Sequence, residues 1–232
     1  MKKFYQKYHH AIPLLIYGII YMSWFQHIEQ ITGRTYTVIH MAIDDKIPFC
    51  EWFIIPYFLW FGYVAWIVIY LFFKNKEDYY KSCTFLFTGM TVFLLISTFF
   101  PNVQHLRPVY MPRVNIFTKM VSYLYHIDTP TNLWPSIHVY NSLGVFFAVL
   151  HNKNLGSNRT VKIGSFITSS LIILSTMFLK QHSMFDVMTA FIMAAIVYTI
   201  VYRFDVIMAV KNSLVNNRQK RKSGNYVSFK TR

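Results

Sequence analysis

Apolar residues run along this chain in blocks separated by short polar stretches, with little strand-like alternation. The blocks fall at about 11–28, 52–73, 83–100, 137–151, 161–179 and 184–207. Most approach the roughly 20 residues that a helix needs to cross the hydrocarbon core of a bilayer. The pattern therefore predicts an all-α bundle of six transmembrane helices. The fourth block is short and carries His138, Asn141 and Ser142, so it must either tilt little or have its outer end sheltered by neighbours. Pro13 and Pro56 lie near the ends of the first two blocks, where missing backbone hydrogen bonds are best tolerated. The stretch 35–52, TYTVIHMAIDDKIPFCEW, is too short and too charged to span. It is expected to lie along the outer interface as a lid, with its turn at Asp44, Asp45 and Lys46.

Composition strengthens this reading. Hydrophobic residues make up 54% of the 232 and charged residues 14%, against the roughly 45–50% apolar content of soluble domains. No repeat or Gly/Ser linker divides the chain, so residues 1–210 are expected to form one transmembrane domain and 211–232 a basic cytoplasmic tail. No small-residue cleavage site follows the first apolar block, which argues against a removable signal peptide. Cys50 and Cys83 are expected at opposite ends of the spans, too far apart for a disulfide.

Charge orients the bundle. With six spans, Lys2, Lys3, Lys7, Lys74, Lys76, Lys81, Lys153, Arg159, Lys162 and the basic residues from Arg203 to Arg232 share one side. Arg34, Lys46, Arg107, Arg113, Lys119 and Lys180 lie on the other. An excess of Lys and Arg marks the cytoplasm, so both termini are expected there, in a multi-pass protein of the cell membrane. The same asymmetry accounts for the net charge of +14 without nucleic acid, because a polybasic segment after a last span sits on anionic head groups. The partner that charge implies is the bilayer.

On the outer side the polar residues gather. LKQHSMFDV (179–187) places His182 and Asp186 four apart, on one face at a helix start, where the carboxylate can accept the imidazole Nδ1–H and leave Nε2 for chemistry. WPSIHVYNS (134–142) offers Ser136 as an N-cap and His138 in the first helical turn, with amides at Ile137 and His138 that favour an anion. LRP (106–108) supplies Arg107, a planar fork suited to phosphate. Two histidines, a carboxylate, an arginine and a lysine beside a helix N-terminus describe a phosphoryl-transfer site.

These residues, RP, PSIH and S-T-x5-H-x3-D in order, resemble the three signature motifs of the type 2 phosphatidic acid phosphatase superfamily: K-x6-RP, PSGH and SR-x5-H-x3-D. The resemblance covers roughly 83–207 and implies a six-helix layout. It also implies metal-independent hydrolysis of a lipid phosphate or diphosphate through a phosphohistidine, without a cofactor. It makes His182 the nucleophile, Asp186 its orienter and His138 the proton donor and acceptor. Arg107, Lys180, Ser136 and Ile137 are then expected to hold the phosphoryl oxygens. Three positions depart from the pattern: Phe100 stands where the first motif has lysine, Ile137 replaces glycine and Thr176 replaces arginine. Lys180 is the expected replacement cation, with Arg113 and Lys119 in reserve and Ser175 as a further candidate. The reduced set is also similar to the sphingomyelin and inositol phosphorylceramide synthase branch, which implies phospho-headgroup transfer as the alternative. A transporter would need ionisable residues spread through the membrane depth, whereas here they cluster at one face. An inactive lipid-binding homologue is the other reading that the departures leave. His105, His126 and Asp128 sit in the same outer loop, where the two readings are shaping the site and, the one expected first, capping local turns; His9, His10, His27, His40 and His151 are expected to be structural or solvated.

Overall fold

The computed structural model describes residues 9–205; the basic tail at 211–232 and the first lysines lie outside the described residues. Eight α-helices follow one another among the described residues: α1 (Ile12–Gln30), α2 (Ile54–Lys74), α3 (Lys76–Phe99), α4 (Ile116–Ile127), α5 (Ile137–His151), α6 (Lys153–Ser157), α7 (Arg159–Phe178) and α8 (Met184–Tyr198). A π-helical turn, Thr199–Arg203, extends α8. Six of the eight start on an Asn or Ser whose side chain accepts from first-turn amides: Asn75, Asn115, Ser136, Asn152, Asn158 and Ser183. Such caps satisfy donors that have no partner within the helix. α1 opens on a proline instead.

Among the described residues the regular structure is helical but for a two-residue parallel pairing of β1 (Thr37–Val38) with β2 (Asn102–Val103) and an isolated bridge between Val103 and Thr131. Among the described residues five helical stretches are long and apolar enough to cross a membrane: His9–Gln30, Glu51–Lys74, Lys76–Phe99, Arg159–Phe178 and Met184–Arg203. α5 is apolar but shorter. Its 15 residues rise about 22 Å at roughly 1.5 Å per residue, short of the roughly 30 Å hydrocarbon core. Packing explains how a helix this short is accommodated. α5 touches α2, α3, α7 and α8, and nine of its residues are buried, so protein rather than lipid surrounds it. This is the sheltered arrangement that His138, Asn141 and Ser142 required.

The core lies where α3, α5, α7 and α8 meet, around Phe85, Val139, Tyr140, Met177, Val187 and Ala190. Two glycines set the α3–α5 spacing. A Cβ at Gly89 would come within 2.0 Å of a Tyr140 ring carbon, and one at Gly144 would meet Phe85 at 2.7 Å. Tyr140 Oη then reaches the Phe85 carbonyl at 2.8 Å. Small residues allow this close approach in membranes, where helix association relies on packing. Gly89→Ala is accordingly expected to destabilise the bundle by about 1–3 kcal/mol through overpacking. An unfolding midpoint unchanged in detergent would contradict the contact. Hydroxyls tie the helices as well: Tyr63 bonds Ser165 and Ser169 of α7, and Ser169 Oγ donates to the Ser142 carbonyl at 3.0 Å. α1 is peripheral, burying only Ile28 and packing on α3.

The segments 31–53, 100–136 and 179–183 meet at one end of the bundle. Arg34 donates to the Ser97 and Thr98 carbonyls, Cys50 N–H to Phe178 O, and the Gln104 amide to the Lys180 and Gln181 carbonyls at 2.9 and 2.6 Å. The 35–52 stretch turns at a 3-10 element, Asp44–Lys46, where its sequence places the turn.

Candidate active site

Between α7 and α8 the chain reverses through Leu179–Ser183. Ser183 is the N-cap of α8 and forms a capping box with Asp186. One carboxylate oxygen, Asp186 Oδ2, accepts the Ser183 amide at 3.0 Å and lies 3.3 Å from His182 Nδ1. Both side chains are buried. A carboxylate on Nδ1 fixes the ring so that Nε2 is the reactive nitrogen, and His182 lines a cavity of about 130 Å³.

α5 delivers the second histidine to the same cavity. Ser136, buried, caps α5 through the Val139 amide and donates its own N–H to Asp186 O at 3.4 Å, which docks the start of α5 on the start of α8. The preceding Trp134–Pro135 peptide is cis. His138, in the first turn, lies between the rings of Tyr57 and Trp60, with centroids at 4.6 and 4.3 Å. Its ring centroid is 5.8 Å from that of His182. Ile137 joins His138 on the cavity wall. The two histidines, Asp186, Ser136 and Ile137 are thus brought together.

The expected cations are not. Arg107 spends its fork on the C-terminal end of α4: Nη1 donates to the Tyr125 and Asp128 carbonyls at 3.2 and 2.7 Å, and Nη2 to Thr129 O and to Gln181 Oε1 at 3.3 and 2.6 Å. The guanidinium also lies over the Tyr125 ring, and burial lowers its pKa from the ordinary value. Lys180 donates to the Asp44 carbonyl at 2.7 Å and faces a separate cavity of about 360 Å³ with His40, Asp45 and His105. Arg113 pairs with the buried Glu51 at 3.0 Å, and Lys119 is exposed. Ser175 is buried and bonds back to the Ile172 carbonyl within its own helix. None of these five side chains lines the histidine cavity.

What lines it instead is aromatic and acidic: Tyr21, Phe25 and Phe93 on one flank, Glu29, Asp128, Thr129 and Asn132 on another. Glu29 accepts from Thr129 Oγ1 at 2.6 Å and from Asn132 Nδ2 at 2.7 Å. Burial raises the Asp128 carboxyl above the ordinary carboxylate range, with the neighbouring Arg107 pulling the other way. Asp128 does end α4 as its C-cap, as a local turn residue would, but its side chain also borders the histidines. Glu29 gave little signal, because it follows an apolar block and resembles an ordinary interfacial charge. Among the described residues no group of three His, Cys, Asp or Glu side chains is placed to hold a metal ion.

No protein-family model matches the chain, and no curated protein or solved structure matches it either. The chemistry of this site therefore rests on its own geometry. An oriented imidazole, a second imidazole across a small cavity, and first-turn amides beside them suit a nucleophile, a proton carrier and an anion cradle.

Proposed function

We propose that this chain is a six-span membrane enzyme, similar to the type 2 phosphatidic acid phosphatases, that hydrolyses a lipid phosphate or diphosphate at the extracytoplasmic interface. The observation that carries the proposal is the pair His138 and His182, 5.8 Å apart between ring centroids on one cavity, with Asp186 on Nδ1 of His182. His182 Nε2 attacks phosphorus and forms the N–P bond as the P–O ester bond breaks. His138 gives its proton to the departing oxygen, then takes one from water as the water oxygen displaces His182. Amides at the start of α5, beside Ile137 and His138, face the phosphoryl oxygens and offset the charge that builds there. Tyr21, Phe25 and Phe93 make an apolar flank between peripheral α1 and α3, suited to the tails of a lipid that enters sideways. With both termini cytoplasmic, this end of the bundle faces outward.

A second reading, transfer of a phospho-headgroup to a lipid alcohol, gains support from the wall opposite. Glu29, Asp128, Thr129 and Asn132 offer acceptors for the hydroxyls of an alcohol or headgroup, and among the described residues no lysine or arginine lines the cavity. Purified full-length protein, given labelled phosphatidic acid or a polyprenyl diphosphate without divalent metal, is expected to release free phosphate. Release that requires added diacylglycerol would select transfer. Silence with and without acceptor, from protein that remains folded, would overturn both readings.

A further inference from the structure

The 31–53 segment carries two buried carboxylates, Glu51, which pairs with Arg113, and Asp44, which is 1% exposed and reaches the turn that bears His182. Asp44 Oδ2 accepts from Ser183 Oγ at 2.6 Å and from Met41 N at 2.8 Å, and Oδ1 accepts from Met184 N at 2.8 Å. The Asp44 carbonyl accepts from Lys180 Nζ at 2.7 Å. One residue, 139 positions before Ser183 in the chain, thus grips the reversing turn at both of its ends. His182 sits between the two grips.

Capping alone does not call for this. α8 already has its own N-cap in Ser183, whose Oγ accepts from Phe185 N. The turn is one that needs holding, since Lys180 has φ of +53°, a left-handed conformation that side-chain-bearing residues adopt at a cost. The chain of contacts is short: Asp44 fixes Ser183, the Ser183 amide fixes Asp186 Oδ2, and the same oxygen faces His182 Nδ1. Asp44 does not border the histidine cavity, so any effect it has on chemistry passes through His182.

We propose that Asp44 is a positioning residue for the His182–Asp186 pair, and that Lys180 belongs to this clamp rather than to the phosphate cradle. The 31–53 segment then acts as a brace on the catalytic turn as well as a cover over it. The assignment rests on the phosphoryl-transfer reading above for its kinetic consequences, but not for its structural ones.

Both kinds of consequence are testable in full-length protein reconstituted in nanodiscs. With phosphatidic acid as substrate, Asp44→Ala is expected to lower kcat about 10–100-fold with KM within about threefold, as losses of supporting contacts to a reacting group do. Asp44→Asn, which keeps one acceptor oxygen, should retain an intermediate kcat. Lys180→Met should likewise lower kcat and leave KM; a tenfold rise in KM at unchanged kcat would make Lys180 a substrate ligand and overturn its place in the clamp. A readout without substrate accompanies these. Amide exchange over 179–186, and diethyl pyrocarbonate modification of His182, should accelerate in Asp44→Ala and Asp44→Asn, while exchange in α5 stays as in the parent. Parental exchange and parental modification rates in both variants would overturn the proposal. If the parent protein releases no phosphate while these local rates still rise, the clamp stands and the phosphatase reading falls. Should Asp44→Ala fail to fold, Asp44→Asn decides by the same readouts.

Discussion

Replacing His182 by alanine is expected to lower turnover of a lipid phosphate at least about 10³-fold, because no other group on the cavity is placed to take over as an oriented nucleophile. The substitution should leave the bundle folded. Asp186 Oδ2 keeps the Ser183 amide at 3.0 Å when the imidazole is gone, so the capping box of α8 survives, and Ser136 N–H still reaches Asp186 O. A buried carboxylate without its imidazole costs some stability, but its remaining hydrogen bond and the start of α8 offset part of that cost. A detergent melting curve close to that of the parent, together with lost phosphate release, is the expected pair of results. Full activity in His182→Ala would remove the nucleophile from the account.

His138→Ala carries the second large effect, and a different signature. A group that moves a proton to the leaving oxygen contributes about 10²–10⁴-fold, and its contribution shrinks as the leaving group becomes able to depart without a proton. Turnover of an alkyl phosphate such as phosphatidic acid should therefore fall by that factor, while an aryl phosphate ester with a weakly basic leaving group should lose far less in its first step. Equal losses on both substrates would point to a purely structural role. Such a role has a physical basis, because the His138 ring is packed between Tyr57 and Trp60. The comparison of leaving groups separates the two.

The elements built on local chemistry were legible in the chain. The fourth apolar block, 137–151, coincides with α5, since Ser136 is a strong N-cap and the apolar run ends at Asn152, which caps the next helix. The spacing of His182 and Asp186 gave their contact for the same local reason: residues four apart share a helix face. The third apolar block begins at 83 but its helix begins at Lys76, because the polar first turn KEDYYK hides a helix start that Asn75 caps. The last apolar block extends to 207, beyond the described residues, while the α-helix gives way to a π turn at Thr199. Arg107 and Lys180 show what spacing cannot reveal. Arg107 is the arginine of the first motif and Lys180 a cation within the spacer of the third, yet their partners are the carbonyls of Tyr125, Asp128, Thr129 and Asp44 and the side chain of Gln181, brought near by the fold of the loops. Glu29 gives no local signal and Asp128 reads first as a turn cap for the converse reason, since only tertiary packing carries the end of α1 and the end of α4 to the histidines.

The claim that joins these observations is covalent chemistry at His182, and it is best tested by trapping. Protein mixed with phosphatidic acid labelled in its phosphate, and quenched in alkali within one turnover, should carry a phosphoryl group that survives base, is lost in mild acid, and maps by mass spectrometry to His182. His138→Ala should still form the adduct from an aryl phosphate ester and release it slowly. Efficient turnover with no labelled protein at any quench time, or a label on another residue, would contradict the account.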